Sequence, residues 1–339
     1  MDTLTRLASR LELARELVWA GTNDRVLRRA AEHSRVVRVI SGVYLDATVW
    51  SRLEEDERYL LRIAAVAGTR RSSVVYSHYS AAALLGYPVI GTWPTQVHLI
   101  VGADSGQRSS PAVVRHVMSV REDELVEVGG FLMTNPLRTV CDIARVASTA
   151  TAVATLDRAL APVDTSNRNF EPLERVFGAS SVVRQGSPLA REEILDALGR
   201  LGPVRGIRQA RFVATFADGA SGSPGESLSR LQIHRLHLPK PELQVRVPNG
   251  PVRYWEVDFG WEAERLLGEF DGFGKYHRSK MTKGASPEQV VWAEKKREDA
   301  IRAATRRGMV RWPWEVANNL PALRQLLVEA GLRPQRGHR

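Results

Sequence analysis

The segment 224–271 limits the fold more than any other part of the chain, because it runs from a helical pattern through a proline stop into three short alternating stretches joined by tight turns. After Pro224, the side chains Leu228, Leu231 and Leu236 fall at helical spacing. Pro239 and Pro241 then forbid continuation, since proline lacks an amide proton and clashes with the preceding turn. LQVRV, VRYWEVDFGW and RLLGEFDGF alternate with the period of a half-buried strand. The Pro-Asn-Gly-Pro turn and the polar turn at Glu262 to Glu264 are too short for a crossover. An antiparallel three-stranded meander is the expectation.

Successive side chains of a pleated strand point to opposite sides. Trp255, Val257, Phe259 and Trp261 are therefore predicted to share one face, with Glu256 and Asp258 on the other. In the next strand Glu269 and Asp271 share a face opposite Gly268 and Phe270, so neighbouring strands aim carboxylates at one place. Ionised acids crowded at strand ends repel one another and lose hydration, a conflict that a divalent cation resolves. Mg2+ (or Mn2+) takes a few hard carboxylate oxygens and leaves positions open to water and phosphate, as phosphodiester hydrolysis requires. On this reading Asp258 and Glu269 are the best ligand pair. Glu226, in the first turn of the helix, completes the shell or orients a water, and Asp271 ligates or supports a ligand. The same acids also suit a solvent-facing strand whose carboxylates pair with nearby arginine and lysine.

At 339 residues the chain exceeds what one core usually serves, so two or three units are expected. Lys and Arg number 48 against 38 Asp and Glu, a net charge of +10, which suits either a polyanionic partner such as DNA or a basic solvated surface. The single cysteine, Cys141, excludes an intramolecular disulfide and any multi-cysteine zinc site, and fits a reducing cytoplasm. No run of about eighteen apolar residues and no basic-then-apolar leader is present, so a soluble cytoplasmic protein without membrane contact is expected.

Leu4, Leu7, Leu11 and Leu17 have helical spacing before Gly21, and a second helix over about 24–33 carries Arg25, Arg28 and Arg29 beside Val26, Leu27 and Ala30. VVRVISGVYL alternates as a hairpin turning at Ser41 and Gly42, with Arg35 and Arg38 on or beside it. Helix, turn, helix, hairpin reads as a winged helix-turn-helix over residues 1–50: a cationic helix fits the major groove and the hairpin arginines reach phosphates. A small helical cap with a solvated arginine face is the alternative.

Residues 51–165 read as a mixed α+β middle domain, 166–220 as a linker with helices, and 221–339 as an α/β unit, making the whole a multidomain α/β and α+β chain. His78, His98 and His116 are scattered over different elements, and their company suits structural or surface roles better than metal binding. Ser286 to Gln289 forms a capping box that starts a helix bearing Lys295, Lys296 and Arg297, a charge set suited to a phosphate backbone.

Over about residues 10–165, the phrases RVLRRAAEHSRVVRVISGVYL, YSHYSAAALLGYP, TQVHLIV and TNPLRTVCDIA resemble the AbiEi family of abortive-infection antitoxins. The resemblance implies a winged helix that binds promoter DNA and a nucleotidyltransferase-type toxin as partner. Over about residues 223–320, GESLSRLQIHRLHLPKPELQV, EVDFGW, GEFDG and EKKREDAIRAATRRGMVRWPWEV are similar to the very-short-patch-repair-like endonucleases of the PD-(D/E)XK superfamily. That resemblance implies a restriction-endonuclease-like fold and Mg-dependent DNA cleavage. It matches Glu226 to the family's helical acid, Asp258 to its strand aspartate and Glu269 to the acid of its E-x-D-G element. Asp271 matches the second acid of that element, where many superfamily members carry a lysine. No residue fills the lysine slot, and Lys275, His277 and Lys295 are the candidates to replace it. Two functions follow: a metal-dependent DNA endonuclease, or an antitoxin and transcriptional autoregulator whose nuclease-like domain is inactive.

Overall fold

The computed structural model describes residues 29, 31–33, 35–69, 74–102, 106, 108–128, 130–162, 188–272 and 287–335. Within them, three sheets with helices packed against them make the chain mixed α and β. It divides into two compact units, residues 1–217 and 218–339. Among the described residues no helix is long and apolar enough to cross a membrane.

In the first unit, strands β1 (Val36–Ile40) and β2 (Val43–Asp46) form the expected hairpin, with Val37 opposite Leu45. Gly42 turns it with a φ of 78°, a left-handed value that costs glycine little. Asp46 then caps helix α1 (Ala47–Ser51), its Oδ1 accepting the amides of Thr48 at 2.7 Å and Val49 at 3.2 Å. Val39, Val43 and Leu45 bury against Leu61 and Ala65 of helix α2 (Glu55–Thr69). The two helices expected before the hairpin, with Arg25 and Arg28, lie outside the described residues, apart from a helical Arg29 and residues just after it.

A five-stranded sheet follows, built from β3 (Val75–Tyr76), β4 (Val97–Val101), β5 (Val113–Val117), β6 (Leu125–Val128) and β7 (Phe131–Thr134) in the order β5-β4-β3-β7-β6. β4 and β5 run parallel, as do β3 and β7. Helix α3 (His78–Leu84) follows β3, and α4 (Pro136–Val146) and α5 (Thr149–Leu160) follow the sheet. Asn135 starts α4 by accepting the Arg138 amide at 2.8 Å, with Pro136 in the first turn where its missing N–H costs nothing. Cys141 is buried in α4, and burial above all, then the charge of Asp142, pushes its thiol up to about 12, so it packs as an apolar side chain. Helices α6 (Arg191–Arg200) and α7 (Ile207–Phe216) complete the unit. Gln209 of α7 donates to the carbonyls of Ala144 and Ala147, each at 2.9 Å.

His78, His98 and His116 come from different elements, as expected, yet they meet in space: the rings of His78 and His116 stack with centroids 3.7 Å apart, and His98 Nδ1 lies 2.9 Å from His116 Nε2. The parallel β4/β5 pairing, with Ile100 opposite His116, brings two of them side by side, and α3 begins with the third. Separation along the chain carries no trace of such a pairing.

The second unit holds helix α8 (Pro224–Arg235), strands β8 (Glu242–Pro248), β9 (Tyr254–Trp261) and β10 (Leu266–Asp271), helix α9 (Pro287–Thr305), strand β11 (Gly308–Pro313), and helices α10 (Trp314–Ala317) and α11 (Leu320–Glu329). β8, β9 and β10 form the antiparallel meander that their tight turns require, and β11 returns parallel to β10. On one face Val247, Val257, Leu267 and Met309 bury against Ile301 of α9. On the other, Phe259, Trp261 and Trp312 stack, and Trp312 Nε1 donates to Ser229 Oγ of α8 at 2.8 Å.

Val257 and Phe259 thus lie on opposite faces, where strict alternation puts them on the same one. The pairing explains the switch. Leu243 faces Phe259 and Val245 faces Val257, while Gln244 between them has a φ of 48°. The β9/β10 pairing ends where Gly268 meets Phe259. Side chains of β9 turn over at Asp258, the irregularity that bulged strands use to re-aim a residue.

Candidate functional site

Asp258 occupies the split that opens between β9 and β10. One oxygen, Oδ2, accepts the Phe270 amide at 2.8 Å and so replaces the lost ladder bond. The other accepts no hydrogen bond, and the side chain makes no ion pair, among the described residues. Its pKa is pushed from 3.8 up to about 8, by burial first and the charge of Glu226 second, with Glu269 adding to the effect. The Phe270 amide and the positive charge of Arg297 act in the opposite direction.

Glu226 reaches this centre from the first turn of α8. Ser223 caps that helix: its hydroxyl accepts the Glu226 amide at 3.2 Å and donates to Oε1 at 2.7 Å. Oε2 takes the Gly222 amide at 2.8 Å and the Gln244 side-chain amide at 2.7 Å. Glu226 is buried at the helix start, where these donors and the N-terminal end of the helix satisfy its oxygens. Gly225 lets the helix close onto β10, since a Cβ at that position would lie 2.0 Å from the Phe270 ring.

Glu269 comes from the α9 side of the sheet. Its Oε1 accepts Arg297 Nη2 at 2.8 Å, and its Oε2 meets Arg311 Nη2. Arg297 also donates to the Glu256 carbonyl at 2.8 Å. Burial alone lowers the pKa of each guanidinium, but hydrogen bonds and charge from Glu269 and Glu294 more than offset it and leave both raised. Asp271, at the end of β10, is half-buried.

The sequence-predicted acids are therefore brought within electrostatic reach: Glu226 from the α8 side, Glu269 from the α9 side, and Asp258 in the split between them. Among the described residues no group of three or more His, Cys, Asp and Glu side chains stands ready to hold a metal ion. Carboxylates paired with local cations, the alternative left open by the sequence, describes Glu269 and not Asp258.

Of the candidate DNA contacts, Arg29, Arg35 and Arg38 are exposed in the first unit, and Arg38 Nη2 donates to Ser41 Oγ at the hairpin turn at 2.9 Å. On α9 Lys295 and Lys296 are exposed, with Lys296 Nζ 3.7 Å from the centroid of the Trp292 ring. Arg297 points inward to the acids instead. Lys275 and His277 lie outside the described residues. Gln244, Glu294 and Arg311 escaped the sequence reading. Alternation in MVRWPW was the available signal for Arg311, but its place opposite Glu269 follows only from the parallel β10/β11 register.

No family model matches the chain. Two similar proteins are the uncharacterized protein MT2308 of Mycobacterium tuberculosis (strain CDC 1551 / Oshkosh) and the uncharacterized protein Rv2248 of Mycobacterium tuberculosis (strain ATCC 25618 / H37Rv). Each is 31% identical over 236 residues, spanning 70% of this chain and 73% of its own length.

Proposed function

The chain belongs to one family with these two mycobacterial proteins, and we propose that it is a cytoplasmic DNA-binding phosphodiesterase, with a winged helix in its first unit and a PD-(D/E)XK-type endonuclease centre in its second. Neither relative's name carries an activity, so the reading rests on the site. Asp258 is the observation that carries it: a half-buried carboxyl with one oxygen fixed to the β10 backbone, the other unbonded among the described residues, and two further carboxylates raising its pKa. A fold that only needed a core would gain by replacing such a group with an apolar one. A site that takes up a cation needs it as it stands.

The donor chemistry fits a hard divalent cation. Asp258 and Glu269 would hold Mg2+ or Mn2+ through carboxylate oxygens, with Glu226 adding negative charge from α8 and Asp271 standing at the strand end. Bound there, such an ion supplies Lewis-acid polarisation of a phosphate and a more acidic water. The chain's own part is positional. Phe270 fixes the Asp258 carboxyl, Gln244 and the Ser223 cap fix Glu226, and Arg297 and Arg311 hold Glu269. Exposed Lys295 and Lys296, with Arg29, Arg35 and Arg38 of the first unit, are proposed to contact the DNA backbone.

A second reading has its own support. Both oxygens of Glu269 are met by arginine, which favours an AbiEi-type antitoxin and transcriptional autoregulator with a silent nuclease-like unit and a nucleotidyltransferase-type toxin as partner. Incubation with duplex, nicked, branched and single-stranded DNA separates the two. The enzyme reading expects cutting that requires Mg2+ or Mn2+ and is lost in Asp258→Ala. Intact DNA on every substrate, with promoter DNA retained in EDTA, leaves the regulator.

A further inference from the structure

Glu269 stands at one corner of a closed ring of four alternating charges. Arg297 donates through Nη2 to Glu269 at 2.8 Å and through Nη1 to Glu294 at 2.8 Å. Arg311 meets the same two carboxylates through Nη2. Three elements build the ring: β10 supplies Glu269, β11 places Arg311 opposite it in the parallel register, and α9 supplies Glu294 and Arg297 one turn apart. Each arginine bridges two acids, so the ring is tied at every edge.

A divalent cation drawn to Asp258 and Glu269 meets two guanidinium groups already on Glu269, and like charges at this range repel strongly in a partly buried site. Either the cation stays out or an arginine gives way. Arg311 is the less settled of the two. Its Nε is buried without a hydrogen bond among the described residues, the nearest acid beyond the ring being Glu298 at 3.7 Å, whereas Arg297 is also anchored on the Glu256 carbonyl at 2.8 Å. Glu294 already contacts both arginines and retains them if Glu269 turns away.

We propose that this ring is a charge lock on the acid centre: Arg311 and the cation compete for Glu269, and Glu294 keeps Arg311 when the cation wins. The inference rests on the cation-binding reading of Asp258 and goes beyond it by assigning Arg311, Arg297 and Glu294 the control of access to that centre. It also accounts for acids that share an electrostatic field without forming a ready metal cage.

Titration of the full chain with Mn2+ alone, following the free ion by electron paramagnetic resonance, tests the lock without any cleavage readout. Arg311→Gln is expected to bind Mn2+ at least tenfold more tightly than the unaltered chain, Arg311→Lys to fall between, and Asp258→Asn to lose the site. Equal affinities for the unaltered chain and Arg311→Gln, with Asp258→Asn still deficient, overturn the lock and leave the cation reading standing. Absence of binding in every variant removes both. Circular dichroism melts establish that each variant is folded. If Arg311→Gln is not, Arg311→Lys carries the comparison, with binding tighter than in the unaltered chain expected and an unchanged affinity overturning the lock.

Discussion

At Gly225 a single methyl group is enough to disturb the acid centre. A Cβ there would lie 2.0 Å from the Phe270 ring, and Phe270 is the residue whose amide holds Asp258 in place at 2.8 Å. Gly225→Ala is expected to destabilise the second unit by about 1–3 kcal/mol through overpacking, with the helix-propensity gain of alanine too small to offset it. Urea unfolding followed by circular dichroism checks this, and an unchanged midpoint would mean that the ring yields freely. The acids Glu226, Asp258 and Glu269 are legible in the sequence because carboxylates at a helix start and in alternating strands are conspicuous. Their partners are not. Gln244 works from a left-handed backbone position that no propensity announces, and Arg311 is one cation among the 48 lysines and arginines of a basic chain.

Among elements, the pairing of β4 with β5 has the clearest energetic consequence. It sets His98 beside His116, with His78 stacked on the latter, and Arg138 and Arg145 act on His78 from α4. Burial first, then the charge of His116, pushes His98 down to about 4, and burial with its cationic neighbours lowers His78 well below its usual value. The folded state therefore binds these protons less readily than the unfolded chain. Above pH about 6.5 the imidazoles are neutral in both states and nothing is lost. As pH falls below that value stability declines, and the His98 share, about 3 kcal/mol, is fully lost near pH 4. Urea midpoints are expected to drop between pH 7 and pH 4.5, and His98→Gln is expected to flatten the decline. An equal slope in the variant would remove His98 from the account. Periodicity reveals each of these strands, yet the crossover that makes β4 and β5 parallel is a tertiary choice with no local signature.

For the molecule as a whole, the helix, meander, helix and returning strand of residues 224–313 follow closely from spacing and turn length, since two-residue alternation and prolines leave few alternatives. The face switch at Asp258 does not, because it comes from strand pairing that ends early and not from composition. That switch makes the central claim possible: three acids from separate elements share one field, with Asp258 most affected. Carbon-13 NMR titration of the Asp258 carboxyl in the full chain measures that field directly. Without divalent cation the midpoint is expected at about 8, falling in Glu226→Gln and again when Mg2+ is added. A midpoint near the ordinary 3.8, unmoved by Glu226→Gln, would contradict the account.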